Sequence, residues 1–221
     1  MWPGLKLSAA TGPHVELLSI ALSPLHAFAR RHSWSLLVVV GEEPADRPAA
    51  WAKVPLIREA LQEADVVCWV DSDAIVVDLS IDILDELEPG KDLYLVRHFG
   101  ADPPHETPNT GVMMWRAGEW ADRMLERVWS SEHLVDHPWW ENAALLEILG
   151  YELEPVARLR ERREEMDRVK LIDPAWNSVP YGNPPARRRG STTGGRDRLR
   201  GTAGRDARRG RGDPAAGRRG A

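Results

Sequence analysis

Up to Gly182, apolar side chains recur in two alternating rhythms. Leu5-Lys6-Leu7-Ser8-Ala9-Ala10 has the character of a short strand, and Val15, Leu18, Ala21, Leu22, Leu25 and Phe28 then return every few residues, as on one face of a helix. Trp34 to Val40 is a second strand-like run, so the chain opens β-α-β. After the turn formers Gly41 and Pro44, a helix is expected from Ala49 to Ala64. The next run, Val66-Val67-Cys68-Trp69-Val70, has no charged position, as in a strand covered on both faces of a parallel sheet. Leu93 to Val96 and Val112 to Trp115 predict two further strands, while Trp120 to Val128 and Glu141 to Leu149 carry helical spacing. This order predicts an α/β fold with a mixed, mostly parallel central sheet flanked by helices.

The rhythm ends at Tyr181-Gly182. Residues 183–221 hold 12 Arg and 3 Asp, with Leu199 as the one large apolar side chain, so they cannot bury enough surface to fold and are expected to be a disordered Arg/Gly-rich tail. The chain therefore divides into a domain over 1–182 and a tail over 183–221, and the net charge of −5 conceals an acidic body joined to a basic end. Such a tail can contact phosphates. It has no aromatic residue to interleave with bases, however, and the acidic body would repel nucleic acid, so nucleic acid is not an expected partner. The abrupt change of composition is also what an out-of-frame read would produce.

The single cysteine, Cys68, sits inside an apolar run and reads as a small buried hydrophobe, which excludes a disulfide framework. No basic N-terminal region with a long apolar stretch and no membrane-spanning run is present, so the expected location is cytoplasmic or peripheral to a membrane.

The candidate chemistry lies where the buried strand ends. Asp71-Ser72-Asp73 places two carboxylates one residue apart at the point where ligand sites of open α/β sheets lie. They offer hard oxygens to Mn²⁺ or Mg²⁺, ions that complete their shell with water and phosphate oxygens. The same residues also read as a strand-ending turn in which Asp side chains cap the backbone. Asn109-Thr110-Gly111 follows a stretch holding Pro103, Pro104 and Pro108. Its small residues let the backbone approach a ligand closely, or it is a turn before a strand. Trp140-Glu141-Asn142 reads as the start of a helix or as a polar group facing a ligand. The chain has 10 Trp against 2 Phe; most are expected in the core, with one of Trp139 and Trp140 exposed.

Trp51-Ala52-Lys53-Val54-Pro55, Asp71-Ser72-Asp73-Ala74, Asn109-Thr110-Gly111-Val112, Trp140-Glu141-Asn142-Ala143 and Asp173-Pro174-Ala175-Trp176-Asn177 together resemble the galactosyltransferase family of the GMA12/MNN10 kind, which includes yeast mannan and plant xyloglucan enzymes. The resemblance spans roughly residues 5 to 181. It implies a Rossmann-like GT-A fold and the transfer of a hexose or pentose from a UDP-sugar to a glycan or small hydroxyl acceptor. It also implies Mn²⁺ (or Mg²⁺) and retention of configuration.

By the same resemblance Asp71 and Asp73 hold the metal, Asp73 more directly, with Ser72 nearer the nucleotide ribose. Thr11 belongs to a nucleotide-contacting loop, Lys53 reaches the base or phosphate, and Asn109, Thr110 and Gly111 approach the sugar. Glu141 and Asn142 form the acidic-amide pair that steadies an oxocarbenium-like centre. One feature departs from the family: the third metal ligand, a histidine after the Trp-Asn stretch, is missing, because no histidine follows His137, while His98, His105, His133 and His137 come too early. A non-catalytic nucleotide-sugar or glycan-binding relic therefore stays open. So does a phosphatase of the haloacid dehalogenase type, although that fold carries its aspartates on the first strand and prefers Thr or Val at the Ala74 position.

Overall fold

The α/β expectation is met by a six-stranded sheet in the order β2-β1-β3-β5-β4-β8. Its strands are β1 (Leu5–Thr11), β2 (Ser35–Gly41), β3 (Val66–Val70), β4 (Leu93–Ala101), β5 (Pro104–Arg116) and β8 (Val169–Ile172). β1 runs parallel to both β2 and β3, and β4 is parallel to β8, whereas β5 is antiparallel to the two strands beside it. The helices are α1 (His14–Arg31), α2 (Lys53–Ala60), α3 (Glu119–Trp129) and α4 (Trp140–Ile148), and β6 (Tyr151–Glu152) pairs with β7 (Arg158–Leu159) outside the main sheet. This computed structural model describes residues 4–41, 46–101, 104–154 and 156–179, all within the first of the chain's two units, Met1–Arg187. The tail expected over 183–221 lies outside the described residues.

β3 shows why its run is apolar throughout. Successive side chains of a strand point to opposite faces, and all five here are buried. Val67 and Trp69 join Trp51, Ile57, Met124 and Leu145 beneath α2, α3 and α4. Val66, Cys68 and Val70 join Phe28, Trp34, Tyr94 and Met114 on the α1 side. Two cores thus sandwich one sheet, and the chain must turn out of it where β3 ends, at Asp71.

Three boundaries differ from expectation. The single helix expected over 49–64 is a 3-10 turn (Ala49–Ala52) that runs into α2, which ends at Ala60; a further turn through Ala64 then delivers the chain to β3. The segment around Pro104 and Pro108, expected as a loop, lies in β5. There the sheet neighbour on one side is absent because β3 stops at Val70, so a proline's missing N–H leaves no ladder bond unmade. Finally, β6, β7 and β8 are two to four residues long and carry no periodicity that predicts them. Among the described residues no helix is long and apolar enough to cross a membrane.

Candidate active site

A cleft of about 440 Å³ opens where β1 and β3 end, and all ten residues singled out in the sequence line it. Thr11 closes β1, Asp71, Ser72 and Asp73 follow β3, and Lys53 begins α2. Asn109, Thr110 and Gly111 come from β5, and Glu141 and Asn142 from the first turn of α4.

The turn after β3 is built by its backbone: Asp71 N–H donates to the Gly111 carbonyl (2.7 Å) and Ala74 N–H to the Asp71 carbonyl (3.0 Å). The carboxylates do not cap that turn. Asp71 Oδ1 instead accepts from Lys53 Nζ (2.9 Å) and from the Trp69 indole N–H (2.6 Å). Trp69 was not singled out by its sequence, although a strand's two-residue period puts it on the same face as Asp71, and that was the available signal.

Lys53 is the hub. It is 5% exposed, and its ammonium contacts Asp71 Oδ1 at 2.9 Å and Glu141 Oε1 at 2.8 Å. Burial pulls its pKa down, but the two carboxylates outweigh burial and hold it above the ordinary lysine value, so the group stays charged. Glu141 Oε1 also accepts from Thr110 Oγ1 (2.9 Å). Burial drives the Glu141 carboxyl up, and the Lys53 charge and the Thr110 hydroxyl only partly offset it.

β5 supplies its residues through a register shift. Leu95 pairs with Met113 and Val96 with Asn109, leaving Thr110, Gly111 and Val112 bulged out of the β4 ladder. A bulge of this kind re-aims side chains, and here it carries the Thr110 hydroxyl to Glu141 and the Gly111 carbonyl to Asp71. Asn109, Thr110 and Gly111, read as a close approach to a ligand or as a turn before a strand, thus lie inside the strand itself. A Cβ on Gly111 would meet Asn177 Nδ2 at 2.6 Å, Asn109 Oδ1 at 3.0 Å and Asp71 Oδ2 at 3.1 Å, so a larger residue would have to displace the Asn177 amide and press on Asn109 and Asp71. Asn177 also donates to Asn109 Oδ1 (2.6 Å), a contact across 68 positions that sequence alone gives no means to find.

Two features remain unsatisfied by the protein. Glu141 Oε2 and Asn142 Oδ1 are buried without a hydrogen-bond partner, a state that costs about 1–3 kcal/mol per group. Asp73 is exposed, and among the described residues neither it nor Asp71 Oδ2 accepts a hydrogen bond. These free oxygens fit a hard divalent cation that takes its remaining ligands from water and phosphate. Among the described residues no three of His, Cys, Asp and Glu converge as a metal site. His14, at the start of α1, lines the cleft, whereas His133 contacts Glu147 (2.9 Å).

Residues 8–98 match the galactosyl transferase GMA12/MNN10 family. The stretch holds Thr11, Lys53 and Asp71 to Asp73; the β5 and α4 residues of the cleft lie beyond it. Xyloglucan 6-xylosyltransferase 2 of Arabidopsis thaliana is 29% identical over 107 residues, which are 45% of this chain and 23% of the relative. The chain therefore corresponds to about a quarter of that enzyme's length. Two solved structures share the fold. One is a glycosyltransferase involved in glycosylation of the major capsid of PBCV-1 (TM-score 0.54, 17% identity, 77% of this chain and 81% of that chain). The other is Drosophila β1,4-galactosyltransferase 7, solved as a mutant complex with manganese, UDP-Gal and xylobiose (TM-score 0.50, 11% identity, 81% of this chain and 67% of that chain). The fold is GT-A, and the aspartates follow the third strand of its sheet, which removes the phosphatase reading.

Proposed function

We propose that residues 1–182 form a transferase domain that moves a sugar from a UDP-sugar to a hydroxyl acceptor. The observation that carries this reading is the convergence of Asp71, Asp73, Lys53, Thr110 and Glu141 from four separate elements on one cleft at the ends of β1 and β3. The free oxygens of Asp71 and Asp73 would hold Mn²⁺ or Mg²⁺, whose charge would neutralise the diphosphate leaving group. Lys53 and the Trp69 indole fix Asp71 by its other oxygen, so the metal-facing oxygen is oriented before any ligand arrives. Thr11 and Ser72 flank the nucleotide.

Glu141 and Asn142 present acceptor oxygens to the transferred sugar. Their unpartnered atoms favour hydroxyl donors and a developing positive centre. One Glu141 oxygen is already tied to Lys53 and Thr110, which suits a fixed dipole better than a mobile nucleophile. Front-face transfer with retention fits that role: the acceptor hydroxyl passes its proton to a donor phosphate oxygen as the sugar–phosphate bond breaks.

Calorimetry with UDP tests the donor site. Binding is expected with Mn²⁺, is expected to vanish when EDTA removes the metal, and is expected to be lost in Asp73→Ala, whose exposed side chain leaves the core intact. UDP affinity that ignores both metal and variant would sink the reading. Binding without turnover of any UDP-sugar would instead indicate a relic that lacks a third ligand.

A further inference from the structure

Pro138, Trp139 and Trp140 form a lip of the cleft beside Glu141 and Asn142. Trp139 N–H donates to His137 Nδ1 (3.1 Å), Trp140 N–H donates to the His137 carbonyl (2.8 Å), and the imidazole packs edge-on against the Trp139 ring with centroids 5.5 Å apart. Trp140 takes a φ of +48°, in the left-handed region that a bulky residue adopts only when its surroundings impose it. The conformation leaves two indoles 38% and 44% exposed at the cleft; among the described residues no other Trp, Tyr or Phe is exposed. Core packing explains the remaining described tryptophans but not this pair. Strain that is kept in order to expose apolar surface beside a polar cleft marks a binding surface.

We propose that Trp139 and Trp140 are a stacking platform for a pyranose ring of an oligosaccharide acceptor, which lays its C–H face on an indole. This rests on the transferase reading of the cleft and names the acceptor class that the reading leaves open. Three observations select a sugar. The indoles supply a flat apolar face. The lip borders a cleft lined by many polar side chains, so a ligand that rests on the indoles and reaches inward must bring hydroxyl or amine hydrogens as well as an apolar face. A pyranose has both, whereas a uracil base offers carbonyl oxygens and a single N–H. Position agrees: Lys53 stands between Asp71 and Glu141, which separates the aspartate wall, where a diphosphate belongs, from the wall that begins α4.

The test is NMR of the indole N–H resonances during titration with cellotriose, xylotriose and mannotriose, with and without UDP and Mn²⁺. It uses the wild type, Trp139→Ala and Trp140→Ala, with Trp139→Phe and Trp140→Phe carrying the comparison should an alanine variant not fold. At least one trisaccharide is expected to shift the Trp139 or Trp140 signal. Its Kd should weaken about tenfold in the alanine variants and far less in the phenylalanine ones, while Kd for UDP stays constant. The platform is refuted if no trisaccharide moves either signal in the wild type. It is equally refuted if the alanine variants weaken UDP as much as sugar, which would place the base on the indoles. A wild type that binds the trisaccharide but not UDP would overturn the donor site and leave the platform standing.

Discussion

Lys53 shows how one side chain can join two halves of a site. Its charge is buried between Asp71 and Glu141 and is held protonated by both. Deleting that charge leaves Glu141 buried without its counter-ion, and breaking a buried pair from one side costs about 3–5 kcal/mol. Lys53→Met, which keeps the stem, is therefore expected to lower the thermal midpoint by roughly 10 °C for a domain of this size. The effect should be checked by circular dichroism melts at neutral pH. An unchanged midpoint would mean that the two carboxylates are already solvated. Of these contacts the sequence exposed only the residues, not their partners. Lys53 was expected to reach a base or phosphate, and its ammonium is engaged by carboxylates instead, because a lysine's residue type says that it carries charge and nothing about which carboxylate the packing brings to it.

At the scale of elements, β8 is the edge that most needs an anchor, since it is four residues long and among the described residues pairs only with β4. Lys170 supplies one: its ammonium bonds the Glu86 carbonyl (2.7 Å) and contacts Glu88 Oε1 (2.7 Å) and Glu86 Oε2 (3.3 Å), tying β8 to the segment before β4. Burial lowers the Lys170 pKa, but the hydrogen bond to Glu88 and the other acidic contacts raise it further, so its net position is above the ordinary 10.5. A lysine whose folded pKa is raised contributes stability in full below the unfolded value and loses it as pH climbs through the folded one. Lys170→Met is thus expected to cost about 0.5–1 kcal/mol at pH 7, a figure discounted for solvent screening, and progressively less as pH rises past 10.5. Urea unfolding at both ends of that range measures the difference, and a cost that grows with pH would refute the assignment. The longer elements were legible because they repeat a period over many residues. β3 was predicted to the residue, whereas β8 is too short to show any period, and the reach of β5 through Pro104 and Pro108 depends on where its neighbour β3 stops.

For the whole molecule, composition predicts that residues 183–221 add nothing to the stability of the domain. A chain cut after Gly182 is expected to melt within about 2 °C of the full chain, because a segment that buries no apolar surface changes ΔG little. A larger fall in a melting scan would show that the basic segment packs on the acidic domain. The sequence by itself determined the β-α-β opening, the strand buried on both faces and the pair of aspartates at its end, since each is a local pattern of period two, period 3.6 or abrupt polarity. Only the tertiary structure decided that the Lys53 ammonium bridges Asp71 and Glu141, that a bulge turns Thr110 and Gly111 into the cleft, and that Asn177 closes against Asn109. Those contacts join residues 18 to 88 positions apart, and such distances are fixed by how α2, α4 and β5 pack around β3, which no local pattern records.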